Sequence, residues 1–211
     1  MRTIRQLRNR SLAQYIAKEM LETHAFYEWV AFLVYKDFSR RNPGMDLTRY
    51  MAKEEHAHFS LLKKIYPGTW GKLQPATARR LKKFKLPVIK SELEFYIASW
   101  IFDLSGQIQI QGLANCSWLA YRKVARKILQ DELEHKNMGL KNLKLYLQKN
   151  PGKRKTAVRL MDKWLKLSSP SFGSVGSPFD HLAVRLGLKR VSSLNQKKQF
   201  ENIVKKARAS L

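Results

Sequence analysis

Two segments of the sequence repeat one short motif. Glu55-His56-Ala57-His58 and Glu132-Leu133-Glu134-His135 each set a glutamate three residues before a histidine. On an α-helix, residues i and i+3 share a face, so each segment offers a carboxylate and an imidazole to one point. Oxygen and imidazole donors in that mixture suit a pair of redox-active metal ions. Helix bundles that hold two such ions take Glu-x-x-His from two helices and a single acid from each of two others. A solvated helix face explains either motif alone, but two copies on separate long helices weigh against it. His56 points about 100° away from Glu55, so it reads as a surface side chain or a support behind a ligand. His24 also reads as standing outside the ligand set.

The motifs need four helices, and the chain has the signals for four. Apolar residues recur at helical spacing from about Ser11 to Asp37, until Arg41, Asn42, Pro43 and Gly44 break the run. Asp46 is the expected N-cap of a second helix, from Leu47 to about Ile65, which Tyr66, Pro67 and Gly68 end. A loop with Gly68, Gly71 and Pro75, then a basic stretch over 78–85, leads past Pro87 to an apolar third helix from Val88 to about Asn115. The fourth runs from about Trp118 to Gln148, where Asn150, Pro151 and Gly152 stop it. Beyond it, Thr156 to Leu167 reads as a short amphipathic helix, 168–178 as a loop, and Asn195 to Leu211 as a basic terminal helix. The expectation is an all-α protein: a four-helix bundle over 1–150 and a helical extension over 151–211 packed on it.

The Glu-x-x-His motifs fall on helices two and four, so helices one and three must supply the remaining acids. Helix one offers Glu19, Glu22 and Glu28; helix three offers Glu92, Glu94 and Asp103. Glu92 and Glu94 sit in a first turn, where the helix dipole favours acids that stay solvated. Asp103 lies in the middle of YIASWIFDLSGQIQIQG, too apolar a setting for a carboxylate without a partner. Glu28, inside FYEWVAFLV, is preferred over Glu19 and Glu22 for the same reason. Gln107 and Gln111, one and two turns past Asp103, are candidates to hydrogen-bond the ligands from behind, or to bond across the core.

Composition narrows the setting. Cys116 is the only cysteine, so the chain has no internal disulfide and lacks the thiolates of a zinc or iron–sulfur site. No apolar run escapes charge for long enough to span a bilayer, which leads to a soluble, cytoplasmic protein as the expectation. Forty-one Lys and Arg against 16 Asp and Glu give a formal charge of +25. Such a surface attracts nucleic acid, anionic membrane, acidic proteins or phosphorylated carriers such as coenzyme A, or reflects only a basic proteome.

Several segments resemble a known family. They are FDLSGQIQIQGLANCSWLAYRKVARKILQDELEH over 102–135, HAFYE over 24–28, and, further on, Trp164, Phe172-Gly173, Ser177 and Gly187-Leu188-Lys189-Arg190. The chain is similar to the phenylacetic acid catabolism proteins, specifically the catalytic oxygenase subunit of phenylacetyl-CoA epoxidase, within the ferritin-like di-iron superfamily. The family's catalytic chain is longer, the stretch between Glu28 and Glu55 is shorter here, and the basicity is unusual. The resemblance implies a ferritin-like four-helix bundle with two iron ions on Glu28, Glu55, His58, Asp103, Glu132 and His135. It implies a di-iron mono-oxygenase or epoxidase acting on an aromatic acyl-CoA, a sister subunit or homo-oligomer, and electrons from a NAD(P)H-dependent reductase. Manganese in place of one iron would use the same ligand types. Two other classes stay open: a di-iron hydroxylase of a modified tRNA nucleoside, for which the charge is natural, and a non-catalytic ferritin-like subunit or iron-handling protein.

Overall fold

Proline, glycine and side-chain caps divide the chain into helices. The computed structural model describes residues 4–75, 81–82, 84–173 and 175–210, with side chains described from residue 11 onward. Part of the basic 78–85 stretch and the terminal Leu211 therefore lie outside the described residues. Among those described there are seven α-helices and no strand. They are α1 (Ile4–Arg41), α2 (Asp46–Ile65), α3 (Glu92–Leu113), α4 (Leu119–Lys149), α5 (Arg154–Ser168), α6 (Pro178–Arg185) and α7 (Ser193–Ala209).

The helix ends differ from the sequence expectation where capping decides them. Asp46 is the first residue of α2 and not its N-cap; that place falls to Met45, which makes no side-chain cap. The third helix starts at Glu92 and not at Val88, because the Ser91 hydroxyl accepts the Glu94 N–H at 3.2 Å and fixes the first turn there. The short helix α6, absent from the sequence expectation, is started by Ser177, whose hydroxyl accepts the Asp180 N–H, and by Pro178 at its first position. Gly187 ends it with a φ of 69°, and the Leu188 N–H returns to the Ala183 carbonyl at 2.9 Å.

The four long helices pack as two hairpins, α1 with α2 and α3 with α4, joined where α2 meets α4. Helices α5 and α7 cover α3, and α6 touches α1. Their main core gathers Phe26, Val34, Tyr35, Phe38, Phe95 and Trp100 from the long helices and Trp164 from α5. Helices α3 and α4 lie close together at Gly139, where an added Cβ would lie 2.8 Å from the Trp100 backbone nitrogen. Among the described residues no helix is long and apolar enough to cross a membrane.

Glu94 departs from its expected solvated place. It is buried, with the Lys90 N–H on one oxygen at 2.9 Å and, on the other, the Trp164 indole N–H at 3.1 Å and the Lys163 ammonium. A helix-start acid has become the tie between α3 and α5. Glu92 stays exposed and accepts from the Tyr96 hydroxyl at 2.6 Å.

Candidate metal centre

Each long helix contributes to one buried cluster. Helix α1 brings Glu28, α2 Glu55 and His58, α3 Asp103, and α4 Glu132 and His135, all at most 5 % exposed. Donor atoms of Glu28, Glu55, His58 and Glu132 lie within 4.8 Å of one another, as do those of Glu55, Asp103 and His135. Glu55 belongs to both groups, so the six side chains form one site with two overlapping donor sets.

The other sequence candidates fall outside it. Gln111 is exposed: eight residues past Asp103 is about 80° beyond two full turns, which carries it off the inward face. Gln107 accepts from the Lys136 ammonium at 3.1 Å. Glu22 accepts from the Tyr66 hydroxyl at 2.5 Å. His56 is exposed, its ring against Trp29 and Phe32.

Hydrogen bonds orient the side chains of the cluster. His58 turns Nδ1 toward Glu28 Oε2 at 3.1 Å, while Nε2 meets Asp131 Oδ2 at 3.2 Å on the outer side. With the proton on Nε2 donated to Asp131, Nδ1 keeps a lone pair for a cation, the arrangement in which an outer carboxylate fixes a ligand's tautomer. Glu28 is held from behind by His24 Nε2 at 2.8 Å, and His24 Nδ1 meets the Tyr121 hydroxyl at 2.8 Å. The Tyr35 hydroxyl donates to Asp103 Oδ1 at 3.2 Å. His24, Tyr121, Tyr35 and Asp131 are thus the supports missed by the sequence reading. Only the i, i+4 spacing of His24 to Glu28 was a local signal.

Four carboxylates this close oppose one another. Burial, then the charges of Glu28, Glu132 and Asp103, push Glu55 well above the ordinary carboxylate range. Burial likewise raises Asp103, against the lowering effect of its bond from Tyr35, and raises Glu132, which Asp103 and Glu28 push further. For Glu28, burial is outweighed by His58 and His24, which hold its carboxyl well below the usual range. Burial would lower His58, yet Glu28 and the bond to Asp131 push it up to about 11. Burial and the His58 charge lower His135 to about 4. Protons are therefore doing the balancing that cations could do.

Among the described residues, four buried polar atoms of the cluster have no hydrogen-bond partner: Asp103 Oδ2, Glu132 Oε2 and both ring nitrogens of His135. Buried polar atoms are almost always satisfied, so four orphans in one cluster mark a place for something that accepts lone pairs. The donor set, carboxylate oxygens and imidazole nitrogens, fits divalent transition metals. Gly106 leaves room for it, since a Cβ there would sit 2.7 Å from Glu132 Oε2. This buried Glu/His cluster could hold a metal ion. The chain matches no protein-family model and no curated protein.

Proposed function

We propose that this protein is a ferritin-like di-iron oxygenase: the six-residue cluster holds two iron ions and the chain inserts one oxygen atom from dioxygen into an apolar substrate. The observation that carries the reading is the set of four orphaned donor atoms inside a cluster of four acids and two imidazoles. Four carboxylates neutralise two divalent ions, which removes the repulsion that protons otherwise relieve. Iron held there would supply the electrons that reduce dioxygen, one oxygen atom passing to the substrate and the other leaving as water, and an external reductase of the NAD(P)H-dependent type would replace those electrons.

The chain's own residues do the rest. Asp131 and Tyr35 fix His58 and Asp103, and His24 fixes Glu28. A cavity of about 500 Å³ reaches the cluster at Glu28, Glu55, Asp103 and Glu132, and Val30, Phe102 and Ile110 make its wall apolar. That volume suits a small organic substrate, and the apolar wall keeps water from the reacting end. Substrate reaching the carboxylates through this cavity distinguishes an oxygenase from a storage protein. An aromatic acyl-CoA fits the resemblance of the 102–135 segment. A modified tRNA nucleoside is the second reading, favoured by the charge of +25.

Elemental analysis of the protein, reconstituted anaerobically with ferrous iron, tests the centre. About two ions per chain are expected from the two donor sets, falling below one in Asp103→Ala and Glu132→Ala. A wild-type chain that retains no metal overturns the reading.

A further inference from the structure

The cavity has a second end, built by the C-terminal helices. Its walls pass from the carboxylate cluster to Ser168, the last residue of α5, and to Ser171 in the following 3-10 turn, Ser169–Phe172. Ser168 is 1 % exposed, and its hydroxyl is the one buried unpartnered atom lying outside the metal cluster among the described residues. Ser171 is placed by Gln109 of α3, whose Nε2 donates to its oxygen at 2.9 Å. Gln109 lies six residues beyond Asp103, which separates the two ends by about 9 Å along α3.

The charges at this end are already matched. Lys189 Nζ is engaged with Asp180 and donates to Ser193 Oγ at 2.7 Å. Asp180 also accepts the Ser193 N–H at 3.0 Å, and although burial raises its carboxyl, Lys189 and that N–H hold it below its ordinary value. Among the described residues, no cation that lines the cavity is left to receive an anionic group, and the carboxylates at the other end repel one. What remains is a buried hydroxyl in want of a partner, beside a second hydroxyl that accepts one bond, at the end of an apolar passage.

We infer that Ser168, with Ser171 beside it, recognises one uncharged hydrogen-bonding head group, such as an amide, carbonyl or alcohol, on an otherwise apolar ligand. Its apolar body then extends about 9 Å toward the carboxylate cluster. Head-group recognition stands on the cavity itself; only the statement that the far end of the ligand is the reacting end rests on the oxygenase reading. The residues that choose the substrate thus come from 168–171, and those that would hold metal come from the four long helices.

Three probes of matched size test this on the metal-free, full-length chain: hexanamide, hexanoate and heptane, titrated by amide chemical-shift changes. Hexanamide is expected to bind at least fivefold more tightly than either of the others. Ser168→Ala is expected to remove at least that factor for hexanamide, to leave heptane unchanged, and to leave the melting temperature unaltered or higher, because it deletes an unpartnered hydroxyl. Equal binding of the three probes, tighter binding of hexanoate, or an unchanged hexanamide affinity in Ser168→Ala overturns the inference. A chain that shows the amide preference yet takes up no metal refutes the oxygenase reading and leaves this one standing. A chain that loads two metals yet treats the probes alike does the reverse.

Discussion

His58 has two faces, and its use depends on both. Nδ1 looks into the cluster, and Nε2 is tied to Asp131, 73 positions away in sequence. Asp131→Ala should leave the six ligands present yet release the ring, lowering metal affinity about 10- to 100-fold, read by competition with a chelator of known affinity. Acid–base behaviour gives a second expectation at this scale. Glu55, Asp103 and Glu132 are raised, so the folded, metal-free chain keeps protons that the unfolded chain has lost above the ordinary carboxylate range. His58 gives stability that is whole below its ordinary 6.5 and lost as pH rises through about 11. Glu28, held low, loses its contribution only in acid, and His135, lowered to about 4, is neutral in both states above 6.5. Between pH 7 and 9 the folded state therefore binds more protons, and metal-free stability falls by at most about 1.4 kcal/mol per pH unit for each such group. Calorimetry should show the melting temperature dropping over that range in the metal-free protein and staying level once metal replaces the protons. The Glu-x-x-His pairs were legible because their spacing is local. Asp131 was not, since adjacency to Glu132 does not say that it faces His58.

At the scale of helices, two glycines set distances. Gly139 lets α3 and α4 approach, and Gly139→Ala would force its Cβ against the Trp100 backbone. About 1–3 kcal/mol of stability should be lost through overpacking, measured by urea unfolding. Gly106→Ala meets only the end of the Glu132 side chain, which can move. Its cost should appear as at least about tenfold weaker metal binding through a displaced ligand, with stability nearly unchanged because alanine favours the helix. The four long helices were readable from apolar periodicity and from Pro-Gly breaks. The two glycines carry no such signal, because what they touch lies on another helix. Glu94 was misjudged for the same reason: a first-turn acid is ordinarily solvated, and its partners Lys163 and Trp164 lie about seventy residues on. Helix α6 is eight residues long, too short for periodicity to announce it.

For the whole molecule, the charge of +25 is the dominant property. Binding to a short single-stranded RNA should follow counterion release, with affinity falling at least about tenfold between 50 and 200 mM salt, as fluorescence anisotropy would show. A preference for one modified nucleoside that survives at the higher salt would favour the tRNA reading over the acyl-CoA one. The charge was plain in the sequence; the cavity was not, because residues from all seven helices line it. The tie at Glu94 also bears on how the protein is made. A chain emerging from the ribosome displays α1 to α4 before Lys163 and Trp164 exist to meet that carboxylate. Until they emerge, the Glu94 carboxylate stays in water and the face of α3 that α5 covers is bare. The junction of α5 with α3 can therefore form only once α5 has been synthesised, when every residue of the buried cluster is already in the chain.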